Sequence, residues 1–179
     1  MKPIFENIPA ELKDYRQWIV WKAVPNLKKG KPDKALLHPV KGYAASSTNP
    51  GTWGTFEQAV AFCHKKLGKE HSHRKRDGTV LKGPVAGVGF VLRPPFVGID
   101  LDGCIEQGQV RPWALEIIEM IGSYTEISPS GTGIRIFVKG DLPFDGRKSG
   151  KIEIYQKGRY LTVTGHVLPG MEAVTAYVH

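Results

Sequence analysis

The chain has 179 residues, 41% hydrophobic and 23% charged, a globular composition that suits one domain, or one domain with a small lobe. No apolar run approaches the roughly 18 residues of a membrane span, the N-terminus lacks a signal-peptide core, and Cys63 and Cys104 form neither a disulfide framework nor a metal knuckle, so the sequence predicts no membrane partner, free thiols and a cytoplasmic setting. The formal net charge of +8 favours a polyanionic partner, and it is uneven, with seven Lys/Arg against two Asp/Glu between His64 and Pro84 and 18 against 15 elsewhere.

Residues 9–15 are expected to form a short helix with proline at its start. Residues 17–24 are rich in Trp, Ile and Val and read as a strand, with Trp18 and Trp21 on opposite faces, both packing. Residues 26–33 make a polar turn, and residues 34–39 a second strand. Thr55 and Gln58 match a capping box. The helix they open runs to about Leu67 and buries Phe56, Val60 and Cys63. Residues 65–83 show little hydrophobic periodicity and are expected to be a flexible, basic surface insertion. Cys63, His64, His71 and His73 fit no common zinc spacing.

Residues 85–92 and 97–102 read as strands joined by the Arg93-Pro94-Pro95-Phe96 turn, an expected antiparallel hairpin. Residues 112–121 are a helix with proline at its first position and an apolar stripe of Leu115, Ile118 and Ile121. Strands follow at 124–128, 133–139, 151–155 and 160–163. Helices interspersed with paired strands predict an α+β or α/β fold with a mixed or antiparallel sheet.

Four segments carry chemistry. In Gly98-Ile99-Asp100-Leu101-Asp102 the carboxylates of Asp100 and Asp102 share one strand face about 7 Å apart, a spacing that can hold a divalent cation. The same residues also fit a strand end running into an Asp-Gly turn. Ser128-Pro129-Ser130-Gly131-Thr132-Gly133 is a Gly-rich turn able to aim amides and hydroxyls at an anion, but it is neither a Walker loop nor a dinucleotide fingerprint. Beyond it, Ile134, Ile136 and Val138 line one face, which puts the Arg135 guanidinium on the other, suited to phosphate. Glu153 stands opposite Ile152 and Ile154 as a third strand carboxylate, and an acidic cluster of this kind suits two metal ions about 4 Å apart. Residues 158–166 add Arg159, Thr164 and His166.

These segments, GIDLDGC (98–104), TEISPSGTGIRIFVKG (125–140), KIEIY (151–155) and GRYLTVTGH (158–166), resemble in order the primase-polymerase domain of phage and plasmid replication proteins, within the archaeo-eukaryotic primase superfamily. The tract around Trp18 to Trp21, the Lys34 segment and residues 49–59 resemble it too. The resemblance implies an archaeo-eukaryotic primase-like fold, with an N-terminal αβ unit (1–84, carrying the 65–83 insertion) and an RRM-like catalytic half (85–179), the site lying between them. It implies that Asp100, Asp102 and Glu153 are catalytic and hold two Mg²⁺ or Mn²⁺ ions, with no organic cofactor.

The family's second motif pairs a small residue with a basic one, usually histidine. Here the segment includes Ser130 and ends in Arg135, a departure that keeps a cation. Ser130, Gly131, Thr132, Gly133, Arg135 and Arg159 are expected to clamp the triphosphate. Thr164 and His166 are further nucleotide contacts, and Lys34 lies on the opposing wall. Lys65, Lys66, Arg74, Lys75 and Arg76 are expected to meet template phosphates.

The implied partners are a single-stranded DNA template, a primer strand and an NTP or dNTP. The implied activity is primer synthesis and extension in the cytoplasm of a bacterial or archaeal host. The chain is expected to be excised from a longer protein with a C-terminal helical unit and a helicase module. Two other readings compete. A non-catalytic origin-recognition module would bind DNA without metal or nucleotide incorporation. A strand-nicking Rep endonuclease needs a metal-binding His pair on an apolar strand, and His71 and His73 lie instead in the polar insertion.

Overall fold

The structure is a computed structural model and describes residues 1–178. After a 3₁₀ turn at Phe5–Asn7, helix α1 (Ala10–Lys13) leads into strand β1 (Trp18–Val24), which pairs with β2 (Asp33–Leu37). Helix α2 (Phe56–Lys66) opens on the expected capping box, Gln58 N donating to Thr55 Oγ1 at 3.2 Å and Thr55 N to Gln58 Oε1 at 3.0 Å. Strands β3 (Glu70–Arg74), β4 (Val80–Val91) and β5 (Phe96–Leu101) follow, then a small ribbon of β6 (Ile105–Glu106) and β7 (Gln109–Val110). Helix α3 (Pro112–Ile121) ends at Gly122, whose φ of 58° no β-carbon obstructs. The remaining strands are β8 (Thr125–Ile127), β9 (Ile134–Lys139), β10 (Gly146–Ser149), β11 (Ile152–Tyr155) and β12 (Tyr160–Val163).

The strands form two five-stranded sheets. The first has the order β12-β4-β1-β2, with β3 paired to the N-terminal part of β4; the second has the order β10-β11-β5-β9-β8. The strand pairings within both are antiparallel. This is compatible with α+β and antiparallel sheets, one of the alternatives left open by the expectation of an α+β or α/β fold with a mixed or antiparallel sheet.

The two faces of the second sheet have different fates. Ile99, Leu101, Ile134, Ile136 and Val138 pack under α3 through Ala114 and Ile118. The opposite face carries Phe96 and Phe137, which join Trp18, Phe90, Leu161 and Val163 of the first sheet in one apolar core. Aromatic edges lock that junction, Phe90 lying 5.3 Å from Phe96 and 6.1 Å from Phe137 between centroids. Gly98 makes the approach possible, since a β-carbon there would sit 2.7 Å from both Leu161 Cδ1 and Leu92 Cδ1. The next residue on that face is Asp100. The face therefore turns from core to site within two positions.

Several expectations change. β4 and β5 do not form a hairpin: the 93–95 turn carries the chain from one sheet to the other. The 65–83 segment is no flexible insertion, because β3 pairs residue for residue with β4, from Glu70 opposite Pro84 to Arg74 opposite Val80. The buried Lys22 fastens this hairpin, its ammonium donating to His71 O at 2.8 Å and Leu81 O at 2.6 Å. The expected unit boundary at 84/85 falls inside the continuous strand β4, and the first sheet takes its edge strand β12 from late in the chain. Leu115 points outward, and Ala114 takes its place under α3. Trp18 and Trp21 are both buried as expected, Trp18 against Phe56 and Phe90 and Trp21 beneath Lys34. Both cysteines are free and buried. No helix among the described residues is long and apolar enough to cross a membrane.

Candidate functional site

One row of charged side chains crosses all five strands of the second sheet. In register these are Lys148 on β10, Glu153 on β11, Asp100 on β5, Arg135 on β9 and Glu126 on β8. Direct cross-strand partners have β-carbons about 5 Å apart, so charges in such a row feel one another strongly. The signs alternate along the row except at one step, where Asp100 and Glu153 set carboxylate against carboxylate.

The neighbours relieve this repulsion unequally. Glu153 is paired with the exposed ammonium of Lys148 and accepts from the Tyr155 hydroxyl at 2.8 Å. Burial pushes its carboxyl up, but those two hydrogen bonds outweigh burial and hold it below its usual value. Asp100 is worse placed. Its Oδ1 is buried without a hydrogen-bond partner, and Arg135 Nε, 3.5 Å away, is equally unsatisfied. Burial raises the Asp100 carboxyl above the ordinary range, Arg135 opposes this, and Asp102 and Glu153 add to it.

A cleft of about 140 Å³ opens over these groups, bounded by Lys34, Asp100, Arg135, Glu153, Tyr155, Arg159 and the β12 residues Tyr160 to Thr162. Arg135 Nη1 donates to Thr162 O at 3.3 Å, while Thr162 Oγ1 is a third buried polar atom without a partner. Arg159 lies over the Tyr155 ring at 5.3 Å. Lys34 is exposed as a residue, yet its ammonium feels desolvation and the positive field of Arg135. Burial foremost, then Arg135, push its pKa down to about 8, against the pull of Asp100 and Asp102. Larger hollows lie elsewhere, one of about 1240 Å³ beneath Met1 to Glu6, but the carboxylate pair lines the small one.

Glu126 is the functional-looking residue that the sequence reading missed. It is fully buried, and it accepts from Tyr124 Oη at 2.7 Å, Thr164 N at 2.9 Å and Gly165 N at 2.9 Å. Burial pushes its carboxyl up, while these donors and the Arg135 charge favour the anion. Glu126 thereby ties β8 to the segment leaving β12, and Arg135 makes a parallel tie to Thr162. Together they fix the distance between the two walls of the cleft. The alternation that singles out Asp100 also isolates Glu126 between Thr125 and Ile127, a signal available in the sequence.

Other candidates stand elsewhere. The Gly131, Thr132 and Gly133 amides are all consumed inside their own turn, bonding to Ser128 O, Ser130 Oγ and Ser128 Oγ. The Ser130 hydroxyl is shared with Ser128 and Thr132. As it stands the turn satisfies itself and aims no free amide from these three residues at an anion. Thr164 is buried, holding Ile127 O and Glu126, and the His166 ring bonds Lys2 O at 2.7 Å, away from the cleft. Both serve as struts where nucleotide contacts were expected. Lys65 and Lys66 close α2, while Arg74, Lys75 and Arg76 form the exposed end of the β3–β4 hairpin.

Asp102 is exposed just past β5, its amide bonded to Lys151 O. Accordingly, no three His, Cys, Asp or Glu side chains converge into a ligand group among the described residues. The donors nevertheless fit a hard divalent cation. They are carboxylate oxygens, one is buried and unsatisfied, and the opposed pair lacks a positive charge between its members.

No known family model matches the chain. The chain is 37% identical over 182 residues to a DNA primase-polymerase of the Nitratiruptor phage NrS-1, an alignment covering 94% of this chain and 22% of that protein. The chain thus spans about a fifth of the relative's length. Along almost all of its own length the chain is similar to one part of a phage DNA primase-polymerase.

Proposed function

We propose that this chain is the catalytic primase-polymerase domain of a longer replication protein, extending or starting a primer by metal-dependent nucleotidyl transfer on a single-stranded DNA template. The observation that carries the reading is the Asp100–Glu153 step, two carboxylates in direct register facing a cleft whose remaining charged walls are cationic. Asp100 and Glu153 would hold divalent Mg²⁺ or Mn²⁺, with Asp102 joining from the end of β5. Bound there, such ions supply Lewis acidity to the attacking 3′-hydroxyl and neutralise the leaving pyrophosphate.

The chain's own groups do the rest. Arg135 presents an unsatisfied guanidinium N–H beside the carboxylates, suited to a phosphate oxygen. Lys34 and Arg159 bring further positive charge to the cleft. The β12 wall, clasped by Glu126, holds the incoming nucleotide against the second sheet and limits water there. Arg74, Lys75 and Arg76 would contact template phosphates. The fold reading that accompanies this function is primase-like, with the second sheet and α3 as the RRM-like half.

The test is incorporation of labelled NTPs and dNTPs on single-stranded template, with and without primer, in Mg²⁺, Mn²⁺ or chelator. Incorporation that needs the divalent ion and the template supports the reading. Metal-independent DNA binding with no incorporation in any ion would favour the origin-recognition module instead.

A further inference from the structure

The β1–β2 loop carries an exposed hydrophobic side chain in basic surroundings. Leu27 is 97% exposed, with Lys28, Lys29 and Lys31 beside it, all exposed. The loop is held in shape: Asn26 Nδ2 donates to Asp33 Oδ2 at 2.7 Å, Lys29 N to Asn26 O at 3.2 Å, and the Lys29 ammonium to Asp33 Oδ1 at 2.7 Å. That last pair neutralises Lys29. Lys28 and Lys31 take part in no ion pair among the described residues. Under the loop lies a groove of about 400 Å³ with mainly apolar walls, among them Ala23, Pro25, Leu27, Pro32 and Pro84.

An apolar groove lined by the unpaired Lys31, with the unpaired Lys28 on the same loop, is matched by few ligands. A folded protein partner would bring an apolar patch but not a regular line of negative charge. A duplex offers that line but keeps its base faces stacked. A single strand supplies both, phosphates for the lysines and an unstacked base for the groove. The position also suits it, since Lys31 is three residues before Lys34 on the cleft wall, about 10 Å in extended chain.

We propose that the β1–β2 loop and its groove bind single-stranded DNA, with Leu27, Pro25, Pro32 and Pro84 receiving an unpaired base and Lys28 and Lys31 holding the adjoining phosphates. Calling that strand the template rests on the polymerase reading above; the binding itself does not.

The experiment is fluorescence anisotropy of a labelled oligo(dT) with this chain, without nucleotide or divalent ion, across a salt series. A matching oligomer of abasic residues and a duplex serve as comparisons. Leu27→Ser is expected to weaken oligo(dT) binding about fivefold, as for losing part of one buried leucine, and to leave abasic binding unchanged. The double variant K28A/K31A is expected to flatten the dependence of log affinity on log salt by about 1.4, roughly 0.7 per phosphate contact. Both changes are at the surface, so unchanged melting temperatures check the fold. Equal binding by wild type and variants, equal binding of abasic and intact strands, or a duplex bound as tightly as the single strand would each overturn the proposal. Incorporation persisting alongside such a result would leave the polymerase reading standing without the groove, and loss of incorporation with the expected binding pattern would do the reverse.

Discussion

Asp100 and Glu153 face each other as direct cross-strand partners on β5 and β11, two carboxylates at the one point where the charge row of the second sheet fails to alternate. The failure is local. One step away on each side, Lys148 pairs with Glu153 and Arg135 approaches Asp100. Opposed like charges destabilise a sheet, and the unsatisfied Asp100 Oδ1 adds a desolvation cost. A cation between them removes both.

A divalent ion is therefore expected to stabilise the folded chain. At a concentration about tenfold its Kd, Mn²⁺ or Mg²⁺ should raise the melting temperature by about 3–6 °C. The Asp100→Asn variant should show no such rise. Thermal scans in chelator and in added ion check this without any assay of activity.

Glu126 is expected to matter more for the fold than Asp100 or Glu153. Glu126→Ala strands the Tyr124 hydroxyl and the Thr164 and Gly165 amides, at about 1–3 kcal/mol for each buried group left unpaired. A total loss of about 3 kcal/mol or more should appear in urea unfolding. Glu126→Gln keeps an acceptor oxygen and should lose less.

Lys34 gives a pH signature with a definite sign. Its pKa in the folded chain is pushed down to about 8, so between pH 8 and its unfolded value the unfolded state binds more protons. Lys34 then contributes a stability that rises with pH in that window, because charging the lysine in the folded state is what costs. The wild type should gain stability relative to Lys34→Met as pH increases past 8. The exposure of Lys34 keeps the effect small. Nucleotide affinity should run the other way, weakening above pH 8 in the wild type and showing no such step in Lys34→Met.

Gly165 connects the Glu126 clasp to the N-terminal segment. Its φ is +70°, and a β-carbon there would meet Ile4 O at 2.0 Å. Gly165→Ala should cost about 1–3 kcal/mol for the backbone conformation alone, with more for displacing Ile4. Denaturant unfolding should show it beside a control such as Gly78→Ala, where the φ is also positive but nothing lies within 4 Å.

Much of the site was readable because strands alternate. Isolated charges at Asp100, Arg135 and Glu153 amid aliphatic neighbours announced their face, and the capping box at Thr55 and the proline at 112 announced two helices. What alternation cannot give is the partner of a strand. Nothing in residues 85–102 says that the Arg93-Pro94-Pro95 turn carries the chain between sheets, and a hairpin was the local expectation. β3 escaped because Glu-His-Ser-His-Arg has no apolar face; it is a strand because it pairs along β4, with Lys22, far away in sequence, donating to the His71 carbonyl. The Ser130-to-Gly133 turn misled for the opposite reason. Its donors were legible, but their satisfaction by Ser128 was not. Glu126 was within reach of the same alternation argument that singled out Asp100, in a strand of only three residues.

The Asp100–Glu153 step is proposed as a cation-dependent catalytic site. Its most direct measurement is template-directed nucleotide incorporation by the wild type, Asp100→Asn and Glu153→Gln in Mn²⁺, each protein first shown to melt as a folded chain. Incorporation by the wild type, with loss of at least about a hundredfold in both variants, as expected when transition-state charge stabilisation is removed, is the predicted result. Folded variants that incorporate nucleotides as fast as the wild type would contradict it.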